Sequence, residues 1–149
     1  MAGADITEFG SGHKPPSLSA VVDVISASPK IIVAALFGTT FGGGLEVALG
    51  CDYRIALPTA KIGLPEVKLG IIPGAQGTQR LPRLSGVEFA LKMMTTGDPV
   101  SATKAQSVGV IDRLIEGDIV EGAVAFAEEL LANNAPLRKI QEMVIDPKA

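Results

Sequence analysis

The stretch KIIVAALFGTTFGGGLEVAL, residues 30–49, decides the fold. Its first half, Lys30 to Phe37, is β-branched and apolar, the composition of a buried strand in a parallel-type sheet. Gly38 to Gly44 reads as a turn, and Leu45 to Leu49 as the start of a helix. In open α/β sheets a turn between strand and helix is where ligands sit. The glycines let a ligand approach the main chain, and the helix start offers unpaired N–H groups and a positive dipole end. Such a place stabilises negative charge. If Gly43 donates its N–H, it supplies half of an oxyanion hole, and one such donor is worth about 3–4 kcal/mol in rate. Spacing alone leaves a tight-packing role for the same glycines equally open.

Working outward, Gly10 to Ser17 is a loop of Gly, Ser, His, Lys and Pro. Ser17 caps a short amphipathic helix with Leu18, Val21, Val22 and Ile25 on its apolar face, ended by Pro29. Beyond the central stretch, Tyr53 to Leu57 and Lys61 to Leu64 read as strands, the second stopped by Pro65. Gly70 to Gly77 is a glycine–proline loop. Ser85 and Glu88 have capping-box spacing and open a helix with Phe89, Ala90, Met93 and Met94 on its apolar side, stopped by Gly97-Asp98-Pro99. Ser101 caps a short helix ending near Gly109, and Val110 to Ile115 is a short strand. Asp118 and Glu121 form a second capping pair for a helix through Leu131, with Val120, Ala123, Ala127 and Leu130 on one side. Asn133 to Pro136 ends it, and Leu137 to Val144 reads as a last helix. No internal repeat or low-complexity linker is visible.

The 149 residues suit one ordinary domain, and 47% hydrophobic against 19% charged residues is enough apolar material for a core. A net charge of -3 argues against nucleic acid as a partner. No apolar run approaches the roughly 18 residues of a membrane span, and no basic leader precedes an apolar segment. Cys51 is the only cysteine, which fits a reducing compartment. Met1 runs directly into Ala2-Gly3-Ala4-Asp5, a turn with no element before it, so the chain reads as a piece of a longer protein cut inside a motif.

Two acids flank the glycines. Glu46 lies in the first turn of an apolar helix, where a lone glutamate is often a capping acid. Glu66 follows Pro65 in an apolar run and precedes a glycine loop; partial burial would raise its pKa and suit it to proton transfer near neutral pH. Two buried carboxylates would also titrate as a pair. A dinucleotide turn fits less well: Gly42 and Gly44 match its first two glycines, but Val47 stands where the third belongs. His13, the only histidine, sits in a loop and supports neither a triad nor a zinc site. Cys51 reads as core, and Met93 and Met94 as packing. Lys61, Lys68 and Arg80 read as solvated surface charge rather than phosphate ligands, with Gln79-Arg80 equally open to structural pairing.

Four stretches carry a resemblance: AGADI at 2–6, PKIIVAALFGTTFGGGLEVALGCDYRIA at 29–56, KIGLPEVKLGIIPGAQGTQRLPRLSG at 61–86, and TTGDPVSATKAQSVGVIDRLI at 95–115. In this order they resemble the enoyl-CoA hydratase/isomerase (crotonase) superfamily, nearest to the hydratase part of fatty-acid β-oxidation multifunctional enzymes. The resemblance implies an α/β fold with a ββα spiral core and C-terminal helices. It implies that residues 1–149 are a partial acyl-CoA hydratase domain whose opening third is missing. Carried over by position, Glu46 and Glu66 would be the catalytic acids, and Ala4 and Gly43 the oxyanion-hole amides. Ala2, Gly3, Asp5, Ile6, Gly42, Pro65 and Gly74 would border the substrate. The implied reaction adds water across the double bond of a trans-2-enoyl-CoA, one glutamate acting on water and Glu66 delivering a proton to the alpha carbon. No cofactor is implied, since acyl-CoA is the substrate. The implied partners are acyl-CoA and, as trimers in the family suggest, further copies of the chain; the implied location is the cytoplasm or a peroxisomal or mitochondrial matrix. Isomerisation of the double bond and a non-catalytic acyl-CoA-binding or assembly module are the alternatives, with a nicotinamide-binding domain a weaker third.

Overall fold

The computed structural model describes Gly3 and residues 15–145. After helix α1 (Leu18–Ser26), strands β1 (Val33–Leu36) and β2 (Thr39–Phe41) lead into helix α2 (Gly43–Gly50). The path then recurs: β3 (Tyr53–Ala56) and β4 (Lys61–Gly63) lead through a 3-10 helix (Glu66–Leu69) to α3 (Gly77–Ser85). β1 pairs in parallel with β3, Val33 opposite Tyr53 and Leu36 opposite Ala56. β2 pairs in parallel with β4, Thr39 opposite Lys61 and Phe41 opposite Gly63. Each ββα unit thus adds one strand to each of two sheets, which is the step of a spiral. The remaining elements are α4 (Val87–Thr96), β5 (Val100–Ser101), α5 (Ala102–Ser107), β6 (Arg113–Leu114), α6 (Ile119–Ala132) and a 3-10 turn (Ile140–Glu142). β6 joins β3 in parallel, and β5 joins β4 antiparallel. The expected α/β, ββα-spiral architecture with helices following is the one observed.

The main core brings Leu36, Leu45, Leu49, Ile62, Leu64, Leu81, Met93 and Ile111 together between α2, α3, α4 and the strands. Three local signals behave as read. Ser17 Oγ accepts from Ala20 N at the start of α1, Ser101 Oγ from Lys104 N before α5, and Asp118 Oδ1 from Val120 N and Glu121 N before α6.

Elsewhere the fold departs from local expectation. β1 is shorter than Lys30–Phe37 and lies at a sheet edge; Ala35 faces outward and Phe37 is 60% exposed. β2 occupies part of the expected Gly38–Gly44 turn, because β4 supplies the hydrogen bonds its three residues need. α3 runs through Pro82, which interrupts only one bond of a nine-residue helix. Ser85 does not cap α4; its hydroxyl donates to Leu81 O at the end of α3, and Gly86 at φ 79° makes the joint. On α6 the inward face is one residue round from the expected one. Val120 is exposed, while Phe126, with Ile119, Ala123 and Leu130, packs on Tyr53 and Ile55. The strand expected over Val110–Ile115 pairs only at Arg113–Leu114. The expected last helix contracts to Ile140–Glu142, since Asp52 takes Arg138 N and Lys139 Nζ and keeps that segment extended.

Arg54 ties these layers together. It is fully buried; Nε donates to Val110 O at 2.8 Å, Nη1 to Cys51 O at 2.9 Å, and Asp112 Oδ2 lies 3.6 Å from Nη2. Burial pulls its pKa down to about 10 against the opposing pull of Asp112. Arg54→Ala would remove the donors to the buried Val110 and Cys51 carbonyls and leave Asp112 with Arg138 as its remaining cation, so a loss of about 3–5 kcal/mol is expected in urea unfolding.

Candidate active site

Glu46 projects from the first turn of α2 and is 2% exposed. Its Oε1 accepts from Ala75 N at 2.7 Å and from Gly77 N at 2.8 Å. Both donors belong to the entry into α3, so Glu46 is no capping acid of its own helix. Main-chain donors to a carboxylate are charge-assisted and hold it firmly. Glycine at 77 is required by this approach, since a Cβ there would lie 3.0 Å from Glu46 Oε1 and 3.2 Å from Pro73 Cβ.

Glu66 opens the 3-10 helix after Pro65 and is 8% exposed. Its Oε2 is buried with no hydrogen-bond partner among the described residues. Burial pushes its pKa up; its own main chain opposes this, and the charge of Glu46 adds to it. Gly42 lies against Glu66. It has φ 53°, its N–H continues the β2–β4 ladder to Gly63 O, and a Cβ on it would meet Glu66 Oε1 at 3.3 Å. Any side chain at 42 would be strained and pressed on the acid.

Gly43 is the first residue of α2, so its N–H has no acceptor within the helix. It also packs tightly, since a Cβ would come 2.6 Å from Leu18 Cδ2. The packing reading of this glycine is therefore observed, and its N–H stands outside the helix's own hydrogen bonds. Gly3, at φ 113°, runs against the end of β2; a Cβ there would lie 3.0 Å from Phe41 O. Ala2, Ala4, Asp5 and Ile6, and His13, lie outside the described residues. Pro65 is half-buried next to Glu66, and Gly74 is exposed, its carbonyl facing Ser19 Oγ at 3.4 Å beside the Ala75 amide that binds Glu46.

The main-chain donors of Ala75 and Gly77 were not legible in the sequence, because every residue type carries an N–H. Arg80 corrects the surface-charge expectation: it is 1% exposed, and its Nη1 donates to Gln76 Oε1 at 2.7 Å. Lys61 and Lys68 are exposed as expected, Lys68 pairing with Asp98. Cys51 is buried in the core. Among the described residues no three metal-ligating side chains cluster, and no helix is long and apolar enough to cross a membrane. Two surface concavities, of about 260 Å³ beside Phe89, Lys92 and Lys104 and about 560 Å³ along Pro29, Leu131 and Leu137, border neither carboxylate.

Residues 1–146 match the family described as Enoyl-CoA hydratase/isomerase. The human peroxisomal bifunctional enzyme is 49% identical over 130 residues, which is 87% of this chain and 18% of that one. A probable enoyl-CoA hydratase of Bacillus subtilis is 45% identical over 135 residues, 85% of this chain and 52% of that one. The crystal structure of an enoyl-CoA hydratase from Bacillus anthracis superposes with a TM-score of 0.80 at 37% identity, covering 89% of this chain and 54% of that one. The chain thus spans under a fifth of the human bifunctional relative and about half of the hydratases it matches. Two buried acids and a glycine corner on a ββα spiral sit within that match, and the chain belongs to the enoyl-CoA hydratase/isomerase family.

Proposed function

We propose that residues 1–149 form part of an acyl-CoA hydratase domain that hydrates trans-2-enoyl-CoA to 3-hydroxyacyl-CoA in fatty-acid β-oxidation. The observation that carries the reading is a pair of buried acids, Glu46 held by the Ala75 and Gly77 amides and Glu66 lying against the Gly42 corner, with the charge of Glu46 among the causes that raise the pKa of Glu66. Glu46, gripped through Oε1 by two amides, is an oriented carboxylate and takes a proton from the attacking water. The water oxygen bonds to C3, and the electron pair of the double bond moves toward the thioester oxygen. Gly43 N–H, with Ala4 N–H as its counterpart, receives the negative charge that develops there. Glu66, whose burial favours its protonated form, delivers a proton to C2. The net change is addition of one water, with no redox step and no cofactor. Acids acting at both C2 and C3 favour hydration over a simple shift of the double bond.

The homologues' names include peroxisomal and glyoxysomal proteins; the same organelle matrix, or the cytoplasm, is proposed for this chain. Self-association is proposed as well, and the exposed Val67, Leu69, Ile71 and Ile72 beside Glu66 are the kind of apolar surface such contacts use.

The test is to add crotonyl-CoA to the chain and follow the loss of enoyl-thioester absorbance, with binding measured in parallel by calorimetry. Turnover is expected. Binding without turnover would replace the reading by a non-catalytic acyl-CoA-binding module.

A further inference from the structure

Gln76 stands between the two amides that hold Glu46. It is one of two non-glycine residues with positive φ among those described, at φ 74°, ψ 13°. Side-chain-bearing residues populate that region sparsely and remain there only when surrounding structure holds them. What holds Gln76 is its own side chain, engaged at both ends. Nε2 donates to Asp23 Oδ1 of α1 at 2.7 Å, and Oε1 accepts from Arg80 Nη1 of α3 at 2.7 Å. Its carbonyl accepts from Gln79 N and Arg80 N, which fixes the first turn of α3.

Arg80 is suited to this task. Its guanidinium is buried, its Nε finds no partner among the described residues, and Asp23 and Glu46 are the acids acting on it, with Arg83 opposing. A cation buried in this way is committed to few contacts, and the bond to Gln76 is one of them. The peptide unit after Gln76 carries Gly77 N–H and the unit before Ala75 carries Ala75 N–H, and both donate to one oxygen, Glu46 Oε1, across Gln76. The conformation at 76 therefore decides whether both amides converge.

We propose that Gln76, clamped between Asp23 and Arg80, is a positioning residue that keeps the Ala75 and Gly77 amides on Glu46 Oε1. The inference rests on the hydratase reading for its catalytic consequence, but its structural core does not. It extends the site from two acids to a linkage running from α1 through the loop to α3.

The test uses the full chain and two variants, read by amide hydrogen exchange in NMR and by crotonyl-CoA kinetics. Gln76→Gly keeps the positive φ accessible and removes only the clamp. Exchange at Ala75 and Gly77 is expected to quicken about tenfold, the scale of one net hydrogen bond. Core amides such as Ile55 should stay unchanged, and kcat should fall about tenfold with KM unmoved. Arg80→Met should reproduce the local loss of protection and Arg80→Lys should restore it in part; if Arg80→Met does not fold, Gln76→Gly decides alone. Unchanged protection at 75 and 77 in Gln76→Gly overturns the proposal, as does equal loss of protection throughout the core. Faster local exchange in a chain whose wild type binds but does not hydrate crotonyl-CoA would sink the hydratase reading and leave the clamp standing.

Discussion

Glu46→Gln is expected to lower kcat for crotonyl-CoA hydration by about 100- to 10,000-fold while KM barely moves, the span attributed to one positioned proton-transfer group. The substitution is close to isosteric. The amide oxygen of glutamine can still accept from Ala75 N and Gly77 N, which now bind Glu46 Oε1. The anchor is thereby kept and only the capacity to take a proton is lost. A kcat effect without a KM effect separates a role in the chemical step from a role in binding. Wild-type turnover in this variant would remove Glu46 from the mechanism.

Glu66→Gln is expected to cost activity on the same scale, about 100-fold or more, and to stabilise the fold at neutral pH. The two effects have one origin. Glu66 is buried, its Oε2 has no partner among the described residues, and burial raises its pKa from the ordinary carboxylate value. As a proton donor it works while protonated, so hydration should decline as pH rises through that raised value. The residual activity of Glu66→Gln should lack this alkaline limb. For stability the sign follows from proton linkage: the native state holds the proton more tightly than the unfolded chain, so stability falls as pH climbs from the unfolded pKa through the folded one. A neutral amide escapes that penalty, because an unpaired buried charge costs more than an unpaired buried amide. Urea unfolding at two pH values checks this. The variant should be more stable than wild type above the folded pKa of Glu66, and the gap should close in acid. A gap that widens in acid would mean that Glu66 is not held toward its protonated form.

What the sequence disclosed, and what it hid, divides by the range of the interaction. Ser17, Ser101 and Asp118 were readable as caps because each bonds an amide two or three residues away. The strand character of Val33–Leu36 and Tyr53–Ala56 lies in their own side chains. β2 and β5 were not readable, because β4 supplies their ladders from elsewhere in the chain. The same division runs through the site. Glu46 and Glu66 announced themselves by the glycines and the proline beside them. The donors that hold Glu46 did not, nor did Arg80, whose position in a glycine-rich, polar segment suggests solvent rather than complete burial. Gln76 was hidden for a related reason: a left-handed residue is anticipated where glycine stands, and here a side chain braced at both ends performs that task. The repeat of the ββα unit was legible only through the family resemblance, being a repeat of strand pairing and not of residues.

The pairing of β2 with β4 sets Phe41 opposite Gly63, and each acid branches off shortly beyond the end of its own strand. Adjacent strands of a sheet stand about 4.8 Å apart whatever their side chains. The spacing of the strand ends from which the two branches start is therefore inherited from main-chain geometry, and Glu46 is held by the Ala75 and Gly77 amides rather than by Glu66. A descendant lineage could retire one carboxylate, or exchange it for another group, without rebuilding the scaffold beneath the survivor.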